Sequence, residues 1–373
     1  MARIAIVAGL ASSLVNFRAP LIDALLALGH EVIAIAPPAD DATSAWLFER
    51  NIAFISVDLA RSSLSPLQDL RTFAQIRSAL AKSKPDAVIA YTIKPVIYGT
   101  LAAKLVGVKR RFAMITGLGY AFTQGETSIK RRLVNLVAAN LYRVALRQVE
   151  ITLFQNPDDL LAFHQNGILS VKSPTAIVNG SGVDTEYFSP VPLPNAARFL
   201  MIARLVADKG VAEYVAAARL LRQTHPNATC HLVGPRDPNP AVLDWNLIES
   251  AIGEGVLNYH GELSDVRPAI AECSAYVLPS YREGTPRSVL EAMAMARPII
   301  TTDAPGCRET VEPGINGVLV PVKNARALAD AMGKFASDAS LRETMGKASR
   351  AIAVSKYRAQ DVANSIIAAC NLN

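Results

Sequence analysis

Two carboxylates eight residues apart, Glu283 and Glu291, stand in the stretch REGTPRSVLEAMA, and the second sits in an apolar run, VLEAMAMA, that holds no other charge. A carboxylate taken out of water without a partner costs several kcal/mol or is driven neutral, so Glu291 needs a partner in the protein or in a ligand. Pro286 suits a first helical position, so the loop YREGT feeds a helix start whose free amides favour an anion. Carboxylates are poor ligands for an anion. They are good acceptors for hydroxyl groups, such as those of a ribose and of a sugar carried on a phosphate. The plainer alternative is an Arg287–Glu291 pair at i,i+4 on a solvated face. With the cation first it is worth at most about 0.5 kcal/mol, and the ligand reading is preferred.

A second set lies in MIARLVADKG, where Arg204 closes a strand and Lys209 with Gly210 opens the next helix. Arginine grips two phosphate oxygens and lysine acts as a point charge, so the pair suits a diphosphate. Taken alone, the spacing equally fits capping and surface roles. Asp-x-Asp, a short acidic motif for a metal-bound nucleotide diphosphate, occurs nowhere. The two cations and the helix amides are then left to neutralise a leaving group, and neither a metal nor a separate cofactor is expected. VAGLASSLVN holds one glycine, Gly9, so the dinucleotide fingerprint is missing too.

The elements that must position these residues alternate along the chain. RIAIVAG, EVIAIAP, AVIAY and EITLFQ read as buried strands between helices such as PLIDALLALG. After Asn195 the rhythm restarts with RFLMIAR, ATCHLVG, AYVLPS and PIITTD. Continuous apolar strands with intervening helices imply parallel sheets covered on both faces. The 373 residues suit two domains, with FSPVPLPNA between them. The expectation is α/β: two facing Rossmann-like domains, residues 1–190 and 191–355, with a deep cleft between them. The last helix, in residues 356–373, is placed to return to the first domain. Ligands of such sheets sit beyond the carboxyl ends of the strands, where both glutamates fall.

Composition narrows the class. Half the residues are hydrophobic, and no apolar run reaches the roughly 18–20 residues of a membrane span. The start, MARIAIVAGL, reads as a core strand and not as a secretory signal. Cys230, Cys273, Cys307 and Cys370 lack metal-ligand spacing and read as buried thiols of a reducing cytoplasm. The net charge of +6 is uneven: between Lys94 and Arg147 stand ten basic residues and one acidic one, Glu126. Such a patch seeks an anionic surface.

Together these motifs resemble the retaining glycosyltransferases of family 4, with the GT-B fold. The resemblance rests on LPSYREGTPRSVLEAMAMARPIITTDAPGCRETVEPGINGVLVP, which carries the E-x7-E motif as Glu283 and Glu291, with ARLVADKG and VNGSGVDTEYFSP upstream. It implies that Glu291 holds the donor ribose and that Glu283, as a catalytic residue, holds hydroxyls of the transferred sugar. Arg204 and Lys209 would stabilise the departing nucleoside diphosphate. Gly284, Thr285 and Pro286 belong to the donor-binding loop, Gly9 admits the donor phosphates and Leu263, in YHGELSDV, touches the base. The family is taken to react by front-face attack, a donor phosphate oxygen receiving the acceptor's proton. Two departures stand out. Ala296 and Arg297 replace the glycine that usually follows the E-x7-E helix, a change read as neutral. The first-domain loop keeps only Gly9, leaving Ser12, Ser13 and Asn16 as polar contacts.

YTIKPVIYGTLAAKLVGVKRR and ITGLGYAF resemble the subgroup that builds bacterial surface polysaccharides on a polyprenyl diphosphate. That likeness implies a UDP-N-acetylhexosamine donor and a polyprenyl-diphosphate-linked saccharide acceptor, with Asn16, Lys94, Thr116, Gly117 and Tyr120 on the acceptor side. For Lys94, a surface lysine before a helix is the plain alternative. Helix 128–148 carries Lys130, Arg131, Arg132, Arg143 and Arg147 among leucines and valines. It is expected either to lie on the anionic inner face of the cytoplasmic membrane or to pack in the core with a solvated basic face. Two other functions compete. A nucleotide-sugar epimerase of similar fold would need acid and base groups around the sugar ring. A nucleic-acid-binding protein would interleave its cations with stacking aromatics, which at 6% are scarce; nucleic acid is not an expected partner.

Overall fold

The computed structural model describes residues 1–60, 65–117, 129–236 and 243–373, and for residues 129–135 the backbone alone. The chain folds as two units, Met1–Ser181 with Gln360–Asn373, and Gly182–Ala359. Each unit carries one parallel sheet.

In the first unit seven strands run β1 (Arg3–Val7), β2 (Glu31–Ala36), β3 (Ala53–Ser56), β4 (Ala87–Tyr91), β5 (Arg110–Ile115), β6 (Ile151–Phe154) and β7 (Thr175–Ile177). Their spatial order is β3-β2-β1-β4-β5-β6-β7. Alternate residues of β1 feed separate cores, Ile4 and Ile6 on one face and Ala5 and Val7 on the other, as a sheet covered on both sides requires. The closing helix, Ala359–Ala369, joins the first of these cores through Val362, Ile366 and Ile367. Arg110 secures its end: Nη1 donates to Asn371 O at 2.9 Å and Nη2 to Cys370 O at 2.6 Å, filling carbonyls that a helix terminus leaves bare.

The second unit holds β8 (Arg198–Ile202), β9 (Thr229–Val233), β10 (Leu257–Tyr259), β11 (Ala275–Leu278), β12 (Ile299–Thr302) and β13 (Gly317–Val320), in the order β10-β9-β8-β11-β12-β13. Its boundary falls at Gly182, earlier than the proline-bearing segment suggests. Val183 bridges Arg358, and Phe188 joins the second unit's core. Three arginines then tie the segment down. Arg350 Nη1 donates to Thr185 O at 2.8 Å, Arg297 Nη2 reaches Pro192 O at 3.4 Å, and Arg342 Nη2 donates to Asn195 O at 3.0 Å.

The glycine replacement is not neutral. Helix Arg287–Ala294 ends in a Schellman turn: Arg297 N–H bonds Ala292 O at 2.9 Å and Ala296 N–H bonds Met293 O at 3.0 Å. That turn holds Ala296 at φ +62°, where a Cβ costs about 1 kcal/mol or more and glycine costs nothing. Arg297, fully buried, offsets part of this by donating to Ile270 O at 2.9 Å and Ala271 O at 3.0 Å. Ala296→Gly is therefore expected to stabilise the second unit by roughly 0.5–1 kcal/mol, about 1–4 °C in its melting midpoint. A midpoint unchanged or lowered in a thermal scan would refute the strain.

Candidate active site

In an open parallel sheet the binding crevice opens where strand order reverses. In the second unit that point lies between β8 and β11. Gly210, at φ +73°, lets the turn after β8 press against the exit of β11; a Cβ there would stand 2.1 Å from Pro279 O. The contact is fastened by Tyr281 N–H to Asp208 O at 2.8 Å and Ser280 Oγ to Asp208 O at 3.2 Å. Lys209, closing the short 3-10 turn Ala207–Lys209, thereby meets Glu283, Nζ donating to Oε1. Both side chains are mostly buried, at 15% and 14% exposure, so the pair is shielded from solvent screening. A second close approach fixes the glutamate's backbone. Glu283 N–H donates to Pro305 O at 2.9 Å, and Gly306, at φ +80°, has Glu283 O 2.2 Å from where its Cβ would be.

Glu291 lies in helix Arg287–Ala294 and is 8% exposed. Its partner in the protein is the one the plainer alternative names: Arg287 Nε stands 2.8 Å from Oε1. The face is not solvated, however. Burial raises the Glu291 pKa, and Arg287 only partly opposes it. Pro286 sits just outside this helix as its cap, extended at ψ 109°, and not at the first helical position. Tyr276 and Ser288 lock the helix to β8, Tyr276 Oη donating to Ile202 O at 3.0 Å and Ser288 Oγ to the same oxygen at 3.1 Å. Neither residue stands out in sequence. A hydroxyl three residues before the carboxylate was the one available signal.

Gly284 and Thr285 lie in the same loop, partly buried. Arg204 follows β8 and is exposed, with no side-chain hydrogen bond or ion pair among the described residues. Leu263 packs partly buried against the core after β10. In the same segment His260 stacks on His231, centroids 5.2 Å apart, with His231 Nδ1 2.9 Å from His260 Nε2. All four cysteines are free and buried, and burial pushes their thiols up to about 12.

In the first unit the reversal lies between β1 and β4. Gly9 is buried there, with Thr92 Oγ1 2.9 Å from where a Cβ would stand, and Asn16 is exposed one turn into the first helix. Lys94 is no open surface lysine. Its Nζ lies 2.5 Å from Asp69 Oδ1, both side chains largely buried, and Tyr98 bonds the same aspartate. Thr116 and Gly117 follow β5, partly buried, Gly117 at φ +129°. Tyr120 lies outside the described residues, as do the side chains of Lys130, Arg131 and Arg132. Helix Ile129–Leu146 packs inward through Tyr142, Ala145 and Leu146, while Leu136, Val137 and Val144 are 60%, 51% and 49% exposed. Arg147, just past its end, is exposed, and Arg143 Nε donates to Gly167 O at 2.6 Å. Among the described residues no helix is long and apolar enough to cross a membrane.

Both halves of the chain match known protein families. Residues 184–352 match the family described as "Glycosyl transferases group 1", and residues 3–156 match "Glycosyl transferase 4-like". A curated relative from Campylobacter jejuni, N,N'-diacetylbacillosaminyl-diphospho-undecaprenol alpha-1,3-N-acetylgalactosaminyltransferase, is 29% identical over 359 residues, 92% of each chain. An Escherichia coli relative, UDP-Gal:alpha-D-GlcNAc-diphosphoundecaprenol alpha-1,3-galactosyltransferase, is 25% identical over 77% of this chain and 75% of its own. Among solved structures, Anabaena HepE in complex with UDP and glucose superposes with a TM-score of 0.80 at 19% identity, covering 100% of both chains. Sucrose-phosphate synthase from Thermosynechococcus elongatus gives 0.81 at 19%, covering 98% and 97%. These structures share the fold.

The histidine pair gives the second unit a measurable electrostatic signature. Burial, then His260 and Arg198, push the His231 pKa down to about 4 against an ordinary 6.5, with Glu272 opposing. The unfolded chain thus binds a proton between these values that the folded chain resists. This contribution to stability is full above about pH 6.5 and is lost as pH falls towards 4. Across that window the wild-type melting midpoint should fall relative to that of His231→Gln. Parallel profiles would show that the pair carries no such linkage.

Proposed function

Because the chain joins a glycosyl transferase 4-like domain to a glycosyl transferases group 1 domain, and is thus a glycosyltransferase, we propose that it moves an N-acetylhexosamine from a UDP-sugar, in α-linkage and with retention, onto a polyprenyl-diphosphate-linked saccharide. The observation that carries the reading is that Arg204, Lys209, Glu283 and Glu291 all follow the two strands flanking one reversal point, with Lys209 and Glu283 ion-paired there. Arg204 and Lys209 neutralise the diphosphate as the bond to the sugar breaks, the task a metal performs elsewhere. Glu291 accepts the ribose hydroxyls and Glu283 those of the transferred sugar. The acceptor oxygen attacks the anomeric carbon on the face the diphosphate leaves, and its proton passes to a phosphate oxygen of the donor. No side chain has to act as base. The Campylobacter and Escherichia coli relatives, both named for acting on diphosphoundecaprenol-linked sugars, support the acceptor class.

UDP should raise the wild-type melting midpoint, by roughly 5–10 °C at a hundred times its Kd. Glu291→Gln should melt at or above the wild-type midpoint in plain buffer, because the raised pKa marks a charge the fold holds at a cost. The same variant should bind UDP at least about tenfold more weakly, having lost a charged acceptor. A variant that keeps the full UDP shift, or a wild type that no nucleoside diphosphate stabilises, would count against the reading. Conversion of the donor's sugar without acceptor would indicate an epimerase instead.

The same reading puts the protein on the inner face of the cytoplasmic membrane. Helix Ile129–Leu146 supports this, presenting Leu136, Val137 and Val144 to solvent with Arg147 just beyond its end. The protein should sediment with anionic vesicles at low salt and be released as salt rises. Equal recovery on neutral vesicles would argue for a solvated helix face.

A further inference from the structure

Arg18 is a buried charged side chain of the first unit for which no counter-charge stands among the described residues. It rides on helix Ser12–Ala27, 3% exposed, with no carboxylate in reach. Its Nε is buried and makes no hydrogen bond, and Nη1 has only Phe17 O at 3.3 Å. The guanidinium lies over the Tyr91 ring, Cζ 4.8 Å from the centroid, and Tyr91 Oη is held by Ser13 Oγ at 2.7 Å. Burial lowers the Arg18 pKa while Tyr91 opposes it, yet arginine starts so high that it stays charged. Other buried arginines of this chain end on carbonyls, as Arg297 does on Ile270 and Ala271. Arg18 has no such set. A buried cation with unused donors is a standing cost unless an anion completes it.

The position says which anion. Tyr91 ends β4 and Gly9 follows β1, so Arg18 stands at the reversal point of the first unit's sheet. Thr92 is held there at φ +68°, and its Oγ1 stands 2.9 Å from where a Gly9 Cβ would be. Leu10 and Phe17 flank the site with exposures of 39% and 42%, an apolar rim beside a cation. We propose that Arg18 anchors a phosphate site on the first unit that takes a diphosphate ester, and that this ester is the lipid-linked diphosphate of the acceptor. Arginine's planar fork suits two phosphate oxygens, and the rim suits the first isoprene carbons. The choice of the lipid over the nucleotide rests on the proposed transferase reading; the anion site itself does not.

Thermal melting of the full chain, wild type against Arg18→Met and Arg18→Lys, tests both levels. In plain buffer Arg18→Met should melt higher than wild type, since it removes an uncompensated buried charge at similar volume. Farnesyl diphosphate and inorganic pyrophosphate should each stabilise the wild type, the lipid form more. Arg18→Met should lose both shifts, and Arg18→Lys should keep a reduced one. In turnover assays Arg18→Met should raise KM for the lipid-linked acceptor about tenfold, one charged contact, and leave KM for the donor within about twofold. If Arg18→Met melts lower than wild type in plain buffer, the residue is structural and the proposal falls. If wild type ignores both diphosphates, or the variant keeps their shifts, it falls as well. If the variant instead loses only the UDP shift, the anion belongs to the donor and the lipid assignment is wrong. Failure of the transferase reading looks different, as a wild type without any Glu291-dependent UDP shift.

Discussion

The second unit's site depends on backbone coming closer than side chains normally permit. Gly210 and Gly306 each occupy a left-handed conformation, and each has a carbonyl oxygen of the β11 exit segment where a Cβ would be. The first draws the turn after β8 onto Pro279, and the second draws the loop after β12 onto Glu283 and Gly284. Between them they bring Lys209 and Glu283, 74 residues apart in sequence, into one shielded ion pair. Any side chain at either glycine would clash with fixed backbone, so the strand ends would have to separate. The chemistry of the pair follows from that geometry: two opposite charges, already desolvated, that a ligand carrying both phosphate and hydroxyl groups can engage separately.

The treatment of buried charge distinguishes scaffold from site. Arg297, Arg342 and Arg350 donate to carbonyls of the segment from Thr185 to Asn195, and Arg350 also takes Ala294 O at 2.9 Å from the end of the glutamate helix. These cations are satisfied within the protein, so their work is to hold structure. Glu291 and Arg18 are of another kind. Glu291 is 8% exposed, and burial outweighs its single arginine partner in setting its pKa. Arg18 has no counter-charge among the described residues, only the Tyr91 ring and Phe17 O, and its Nε makes no hydrogen bond. Incompletely satisfied charges at strand ends are where a fold departs from its own stability optimum, and such departures cluster where ligands bind.

Much of this was legible from sequence, and the parts that were not fail for identifiable reasons. Strands with unbroken apolar runs declared themselves: RIAIV, EVIAIA, AVIAY and IITT are all strands. Strand β5 hides behind Arg110 and Arg111, whose guanidinia turn to carbonyls of the closing helix and of the Val108–Lys109 turn. The short strands β3, β7, β10 and β13 span three or four residues, too few for a period to show. The glutamate pair was visible because one charge interrupts an apolar helix. Its arginine partner was visible too, but the spacing carries no information about burial, and burial decides how the pair behaves. Arg18 carries no such signal, because FRAPLIDALL reads as an ordinary amphipathic start. Only the packed structure shows that the arginine points inward.

The two sheets reverse their strand order in the same way, yet equip the reversal point differently. The second unit places acids and bases together there, Glu283 with Lys209 and Glu291 with Arg287. Such a mixed set distinguishes among parts of one polar molecule, since phosphate and hydroxyl groups call for opposite partners. The first unit places a cation against an aromatic ring and leaves apolar side chains at the rim. That set favours a molecule whose charge is concentrated at one end and whose remainder is apolar. A shared architecture therefore need not imply a shared ligand. Ligand preference lies in the few residues that follow the central strands, and in this chain those residues differ in kind between the two sheets.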